Sequence, residues 1–401
     1  MVKIMAKKGL TFAGVIKNKI FKKRDILYSL QPPTGFLHRV DQKNDLIMEL
    51  APILMESVVS CVFVYGNPGT GKTGLIMELV EELEVEATGT GIELKTIYVN
   101  CSENRTETSI LMDILNQLNE EKEYPRMGWT RAKAISEFNK VLSLKELQVL
   151  IVLDEVDYVL REEGDDILYR LSRINNLKGK AKKSNVSTLI ISNDIRVSDY
   201  IKPRTQSSIG RIKVIFSPYN AEELYDILKD RISVAFQKDV VADAVLEKIA
   251  DMESQNNGDA RRALEMLDSC AKIALAKKKN KITLDLVDEA DSLLERDQIL
   301  NIVATLTKHQ KLVYLAILKN MQNIKGGSDV FKFYLEACEA YNIKSLSERR
   351  VRSFVVSLTD LGLIQSEVGW LSTEGKKTRK ITVVIDSTLK NKVVKLLRDS
   401  L

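Results

Sequence analysis

Apolar and polar positions follow two rhythms along the first half of the chain. Short apolar runs stand at Cys61-Val62-Phe63-Val64-Tyr65, Thr96 to Val99, Val149 to Leu153 and Ser187 to Ile191. Each is too short for a helix, and together they are rich in β-branched residues, the signature of buried strands. Longer stretches with helical spacing separate them, and another runs from about Asp41 to Ser57 after the break Pro32-Pro33-Thr34-Gly35. Strands alternating with helices predict an α/β core in which a parallel sheet is covered by helices on both faces. A phosphate ligand would then sit at the carboxyl edge of the strands.

The rhythm changes twice more. Beyond Phe216-Ser217-Pro218 the strand signals stop, and helical spacing covers Glu222 to Phe236, Asp243 to Glu253, Ala260 to Ala276 and Leu284 to Leu294, which predicts a small all-helical domain. In the last hundred residues, three short helical patterns precede Leu363 to Val368, a polar basic stretch, and Ile381 to Ile385. Three helices followed by a two-stranded ribbon predict a winged helix-turn-helix. The expected organisation is a basic arm over residues 1–24, a nucleotide-binding core over 25–218, a helical lid over 219–296 and a winged-helix domain over 297–401.

Composition narrows the class. A chain of 401 residues, 44% hydrophobic and 29% charged, is a soluble globular protein of two or three domains. Cys61, Cys101, Cys270 and Cys338 are scattered, with no C-x-x-C pair, and His38 and His309 are the only histidines. A zinc site or disulfide framework is therefore not expected, and a reducing interior is the natural compartment. No apolar run reaches the roughly 20 residues of a membrane span. The expected location is the cytoplasm, at the nucleoid, with no membrane partner.

Charge adds a partner class. The net charge of +5 hides an asymmetry: residues 1–24 carry +8, residues 25–296 carry −10 and residues 297–401 carry +7. Basic segments at both ends of a nucleotide-binding chain point to a polyanion, most naturally nucleic acid.

The chemistry begins at Gly66-Asn67-Pro68-Gly69-Thr70-Gly71-Lys72-Thr73, a G-x-x-x-x-G-K-T loop between an apolar strand and a helical pattern. Its glycines let backbone N–H groups turn toward phosphate oxygens, and the following helix adds the positive end of its dipole. Lys72 reaches the β- and γ-phosphates in such a loop, and Thr73 binds Mg²⁺. The strand Val149 to Leu153 delivers Asp154 and Glu155 to its tip. Asp154 suits Mg²⁺, and Glu155 suits the orientation and deprotonation of an attacking water. Asn193, at the tip of the next strand, places a carboxamide where it can position that water between Glu155 and the γ-phosphate. ATP or ADP with Mg²⁺ are the expected ligands.

These spacings resemble the AAA+ ATPases, a likeness that makes Asn193 the γ-phosphate sensor. Gly258-Asp259-Ala260-Arg261 is similar to the second sensor of that family, with Arg261 over the phosphates and Arg262 a surface residue. The segment Ile201-Lys202-Pro203-Arg204-Thr205-Gln206-Ser207-Ser208-Ile209-Gly210 narrows the likeness to the archaeal origin-recognition and cell-division-cycle initiators, which carry a similar P-R-x-x-S-S-x-G segment before the lid. The same family has a helical insertion after the second strand, matched by Glu103 to Leu118, and a C-terminal winged helix. The resemblance covers roughly residues 25 to 390. It implies that Arg204 is an arginine finger acting on a neighbouring subunit, with Arg211 close enough to substitute, and that the Glu103 to Trp129 region gives a second DNA contact.

The last domain carries its own signal. Ser345-Leu346-Ser347-Glu348 fits a capping box that opens a helix with Val351, Phe354, Val355 and Leu358 on one face. Arg349 and Ser353 fall opposite, flanked by Arg350 and Arg352, where an arginine fork can read guanine in a major groove. Lys376, Lys377, Arg379 and Lys380, with Thr378 among them, would form a ribbon tip that grips backbone phosphates or an adjacent minor groove. Lys277-Lys278-Lys279 reads as the end of a lid helix, where cations favour the carbonyl terminus. Lys178 to Lys183 is a basic loop of undecided role.

The resemblance implies a replication initiator that binds duplex origin DNA through its winged helix and its insertion. Its ATP or ADP state would regulate loading of the replicative helicase, with other initiator subunits as partners. Hydrolysis is expected to be slow and switch-like, since no motor repeat or substrate pore is evident. A nucleotide-dependent DNA-binding regulator or plasmid replication protein is the alternative. A clamp-loader subunit is less favoured, because the Ser-Arg-Cys finger is absent and a winged helix stands in place of the collar.

Overall fold

A computed structural model describes residues 20–59, 61–119, 121–125, 128–144, 146–176, 184–210, 212–324, 326–371, 376–383, 385 and 387–401. The chain divides into two compact units, residues 1–287 and 288–401.

The core of the first unit is a parallel sheet of β1 (Val62–Gly66), β2 (Leu94–Asn100), β3 (Gln148–Asp154), β4 (Asn185–Ser192) and β5 (Lys213–Phe216), in the order β2-β3-β4-β1-β5. Alternation along each strand divides the core between the two faces. Cys61, Phe63, Ile97, Val99, Val149, Ile151 and Leu153 pack on one side with the helix Glu107–Leu118 and its neighbours. Val62, Val64, Leu150, Val152, Leu189 and Ile191 pack on the other with Leu75, Ile76, Leu79 and Leu83 of the helix after the phosphate loop. β3 is buried along its whole length, which explains its unbroken apolar run. Leu79→Ala would cost about 2–5 kcal/mol, as a large-to-small change in such a core does.

In chain order the helices of this unit are α1 (Val40–Leu50), α2 (Lys72–Thr90), α3 (Glu107–Leu118), α4 (Arg131–Leu144), α5 (Asp157–Glu162), α6 (Asp166–Arg173), α7 (Pro203–Ile209), α8 (Ala221–Ala235), α9 (Asp243–Asn256) and α10 (Ala260–Ala276). The expected helix to Ser57 ends as an α-helix at Leu50, because Pro52 has no N–H to continue it, and a 3₁₀ turn follows at Ala51–Met55. Helices α8 to α10 form the all-helical lid. β5 lacks a counterpart in the sequence pattern: it is four residues long, lies at the sheet edge and exposes Lys213 and Ile215.

A segment from Ile20 to His38 ties lid to core. Arg24 donates two hydrogen bonds, at 2.7 and 2.8 Å, to Asp268 of α10, and Tyr28 bonds the same carboxylate. Lys272 adds an ion pair at 2.7 Å. Burial pushes the Asp268 carboxyl up, but the bonds from Arg24, Lys272 and Tyr28 outweigh it and hold it below the usual range. Arg231 of α8, itself buried, grips the carbonyls of Ile26 and Gln31 at 2.6 and 3.2 Å.

The helix α11 (Asp285–Thr305) follows α10 in the chain. The second unit holds α12 (Lys308–Lys319), α13 (Gly327–Ala340), α14 (Glu348–Asp360), the antiparallel ribbon β6 (Gln365–Leu371) and β7 (Lys376–Thr382), and α15 (Ser387–Asp399). The winged helix is thus present, with a closing helix α15 that the sequence pattern does not announce. Leu312 to Leu318 are all buried, so α12 is the centre of this core. Among the described residues, no helix is long and apolar enough to cross a membrane.

Candidate nucleotide-binding and nucleic-acid-binding sites

The strand order brings the tips of β1, β3 and β4 side by side, since β4 lies between the other two. Four of the residues singled out in the sequence meet there in two pairs. Thr73 Oγ1 donates to Asp154 Oδ2 at 2.9 Å, and Asn193 Nδ2 donates to Glu155 Oε1 at 3.3 Å. Tyr98 at the end of β2 also donates to Asp154 Oδ2, at 2.8 Å. Burial and the Asp154 charge push the Tyr98 phenol up, so it remains a donor. Glu155 has φ +54, a left-handed backbone that L residues adopt at a cost.

Lys72 is buried, and its ammonium donates to the carbonyls of Gly66 and Asn67 at 2.9 and 2.7 Å. Burial pushes its pKa down to about 8, against the pull of Asp154 and Asp157. A buried ammonium held by neutral carbonyls gains from an anion in the same cradle. Within the loop, Thr70 is fully buried and its hydroxyl donates to the carbonyl of Asn67 at 2.8 Å. Asp259 caps α10 by accepting from the N–H groups of Arg261 and Arg262 at 2.8 and 3.2 Å. It lies so close to the loop that a Cβ on Gly69 would stand 1.6 Å from its Oδ1. Gly69 has φ +71, so both space and conformation require glycine there.

The cleft over the loop has a volume of about 440 Å³. Pro68, Gly69, Gly71, Lys72, Thr73, Glu155, Asn193 and Arg261 line its polar end. Leu27, Leu30, Phe36, Ile227 and Leu264 line its apolar end, on the Ile20–His38 segment and two lid helices. A polyphosphate at one end and a flat apolar base at the other match this division. The paired Thr73 hydroxyl and Asp154 carboxylate are hard oxygen donors of the kind Mg²⁺ takes.

One arginine departs from its expected place, and a second has a role that no sequence pattern marks. Arg262, expected on the surface, is half-buried and bonds the buried Glu253 at 3.0 Å, because its position on α10 faces α9. Arg39 gives no sign in sequence, yet its guanidinium is buried against Tyr219 beneath the phosphate loop. Arg204, the second residue of α7, donates to Asp166 at 2.8 Å and covers the Tyr169 ring at 5.0 Å. Asp166 also binds Arg131 of α4, at 2.8 Å. Arg126, Arg211 and Lys178 to Lys183 lie outside the described residues.

In the second unit, Val351, Val355 and Leu358 of α14 are buried and Phe354 is half-buried, while Arg349, Arg350, Arg352 and Ser353 are exposed. Ser347, not Ser345, stands at the N-cap, and no side chain caps it. Glu348 is consequently the first helical residue, and its carboxylate pairs with Arg352 at 2.7 Å instead of closing a box. Tyr334 fixes the approach to the helix, with its hydroxyl accepting from Leu346 N–H at 3.0 Å. The basic segment Lys376 to Lys380 is not the ribbon tip: it is the strand β7 itself, paired with Glu367 to Leu371. Thr378, Ile381 and Thr382 favour extension and carry the strand upstream of the apolar run. The side chains of Lys376, Lys377, Arg379 and Lys380 lie outside the described residues.

Three sequence profiles match successive parts of the chain: an AAA domain over residues 57–196, a Cdc6 AAA+ ATPase-type lid domain over 225–292 and a CDC6 C-terminal winged helix domain over 301–392. An ORC1-type DNA replication protein of Thermococcus onnurineus is 37% identical over 87% of this chain and 85% of its own. ORC1-type DNA replication protein 1 of Sulfolobus acidocaldarius is 35% identical over 96% of this chain and 94% of its own. The Aeropyrum pernix ORC1 protein, solved in complex with DNA, superposes with a TM-score of 0.83 at 29% identity, covering 96% of this chain and all of that one.

Proposed function

The chain belongs to the ORC1-type family of AAA+ DNA replication proteins, and on that premise we propose that it is an initiator that binds duplex origin DNA and gates loading of the replicative helicase by its ATP or ADP state. The observation that carries the reading is the double pairing at the strand tips, Thr73 with Asp154 and Asn193 with Glu155, beside the buried Lys72.

In this reading the backbone of Gly66 to Gly71 and the ammonium of Lys72 hold the phosphates. Thr73 and Asp154 hold Mg²⁺, which when bound would neutralise phosphate charge. Asn193 aligns a water against Glu155, whose carboxylate takes the proton as the water oxygen bonds to γ-phosphorus and the bridging oxygen leaves with ADP. Arg261 faces the γ-phosphate from the lid, so loss of that group changes what the lid can hold. Arg204 serves a neighbouring subunit, and must leave Asp166 to do so. The chemistry is suited to a switch: two hydrogen-bonded pairs and a lid arginine report one phosphate.

The exposed arginines of α14 and the +7 charge of residues 297–401 support duplex binding by the winged helix. A. pernix ORC1 was solved with DNA, which supports the same partner here. Reconstitution tests the gate. Helicase should be retained on origin duplex in amounts that differ at least about fivefold between ATP-loaded and ADP-loaded protein, the lower end of ordinary coupling. Equal retention in both states contradicts the gate.

A further inference from the structure

Arg39 is an unusual residue to bury. It is only 3% exposed. Among the described residues no carboxylate lies within ion-pair distance, and burial holds its pKa below the usual range against the pull of Tyr219 and Glu223. Three carbonyls satisfy it instead: His38 at 3.2 Å, Thr70 of the phosphate loop at 3.0 Å and Ser217 of the linker to the lid at 2.7 Å. Its guanidinium covers the Tyr219 ring at 3.7 Å. A buried charge with no counter-ion costs stability, and an apolar residue would fill the space at less cost. A buried arginine here is understandable if the bridge it makes between Thr70 and Ser217 does something that packing does not.

What it does is visible in the path of bonds on either side. Thr70 lies inside the phosphate loop. Ser217 precedes Pro218 and Tyr219, where the chain enters the lid. The Tyr219 N–H donates to the carbonyl of Gly258 at 3.2 Å. Gly258 has φ +60, and a Cβ there would stand 2.5 Å from the Tyr219 carbonyl oxygen, so any other residue here would be strained. Next come Asp259 and Ala260, whose N–H donates back to the Gly69 carbonyl at 3.2 Å, and then Arg261. The result is a closed ring: phosphate loop, Arg39, linker, Gly258, first turn of α10, phosphate loop.

We infer that Arg39 is a positioning residue that couples the phosphate loop to the lid, so that the loop's filled conformation sets Arg261 at the γ-phosphate. This rests on the role proposed for Arg261 in ATP binding. One guanidinium holds Thr70 and Ser217 together, so neither carbonyl can move without the other unless a charged, buried hydrogen bond is broken. Lysine keeps the charge but is a point donor on a flexible stem, and cannot bridge both carbonyls while stacking on the ring.

Full-length Arg39→Lys, Arg39→Met, Arg261→Ala and Arg39→Met/Arg261→Ala proteins test this with two readouts. The first is the ratio of ATP to ADP affinity by titration calorimetry. Each single variant should lose about tenfold of that ratio, a typical coupling, and the double variant should lose no more than either alone. Losses that multiply in the double variant overturn the coupling, because independent sites add in free energy. The second readout is hydrogen exchange at residues 258–262. ATP should protect this segment in the wild type and in Arg261→Ala, and fail to protect it in Arg39→Lys. Protection retained in Arg39→Lys overturns the proposal even if Arg261 itself proves silent, an outcome that would remove only the γ-phosphate role of Arg261. Arg39→Lys carries the conclusion if Arg39→Met does not fold.

Discussion

Asn193 holds Glu155: the carboxamide at the tip of β4 donates to the carboxylate at the tip of β3 over 3.3 Å. The Asn193 N–H in turn donates to Asp157 at 3.1 Å, which fixes the carboxamide's backbone against α5. If Glu155 is the general base, as proposed, this bond aims its carboxylate before substrate arrives. Glu155→Gln keeps the shape and removes the base, so it should retain ATP affinity and slow single-turnover hydrolysis by at least ~10²-fold. Asn193→Ala should slow hydrolysis less, with affinity again retained. Unchanged turnover in Glu155→Gln would remove Glu155 from the mechanism.

Lys72 should make nucleotide binding proton-linked. In the free protein its pKa is about 8, lowered by burial, so it loses charge as pH rises through that value. Bound phosphates favour the ammonium, so binding above pH 8 draws in a proton and affinity falls, by up to about tenfold per pH unit. Calorimetry at pH ~8.5 in buffers of different ionisation enthalpy should show net proton uptake, absent in Lys72→Met. For the free protein the sign is opposite. The unfolded chain binds this proton up to about pH 10.4, so between about 8 and 10.4 the Lys72 contribution to stability rises with pH.

Asp268 anchors the segment that closes the apolar end of the cleft. Asp268→Asn leaves Arg24, Tyr28 and Lys272 without their shared charged acceptor and should lower stability by about 1–3 kcal/mol in urea unfolding. Its folded pKa is depressed, so this contribution is present at neutral pH and is lost as pH falls below about 4, the unfolded value. The wild type and the variant should therefore converge in stability at low pH. A constant gap down to pH ~2 would assign the difference to packing.

What the sequence disclosed follows from the range of the interactions. Strands β1, β3 and β4 are legible because burial on both faces writes itself as an apolar run, β2 because Ile97 and Val99 alternate into the core, and the phosphate loop because its chemistry is contiguous. Asp154, Glu155 and Asn193 are readable as strand tips, since a parallel sheet puts such tips on one edge. β5 is not, because an edge strand of four residues with two exposed carries no such run. Arg39 reads as an ordinary charge at a helix start; its partners Thr70 and Ser217 are 31 and 178 residues away. Arg24 and Asp268 are 244 residues apart, and no local pattern reports that distance. The misplaced cap shows the opposite failure. Ser345 and Ser347 both suit an N-cap, and the Tyr334 hydroxyl on Leu346 N–H fixes the turn that decides between them.

If α14 reads bases as proposed, its contribution should separate from that of charge on the ribbon. Arg349→Ala and Arg350→Ala, at exposed positions, should each weaken specific over non-specific duplex binding by about 1–3 kcal/mol where the arginine forks onto a base. Lys376→Ala and Arg379→Ala on β7 should weaken all sequences alike and make the slope of log K against log salt shallower by about one for each phosphate no longer neutralised. Fluorescence anisotropy across salt with the full chain measures both. Four silent substitutions would move the DNA-binding surface into the ATPase unit.

An ATPase that acts where replication starts must be found on the DNA that is copied first. Genome-wide mapping of bound DNA, overlaid on the first DNA synthesised after release of synchronised cells, reads this directly. The strongest bound sites should coincide with the earliest synthesised DNA, and Arg349→Ala/Arg350→Ala should deplete both together. Strong binding spread over promoters, with early synthesis arising elsewhere and unaffected by the substitutions, would contradict the initiator role and identify a transcriptional regulator on the same fold.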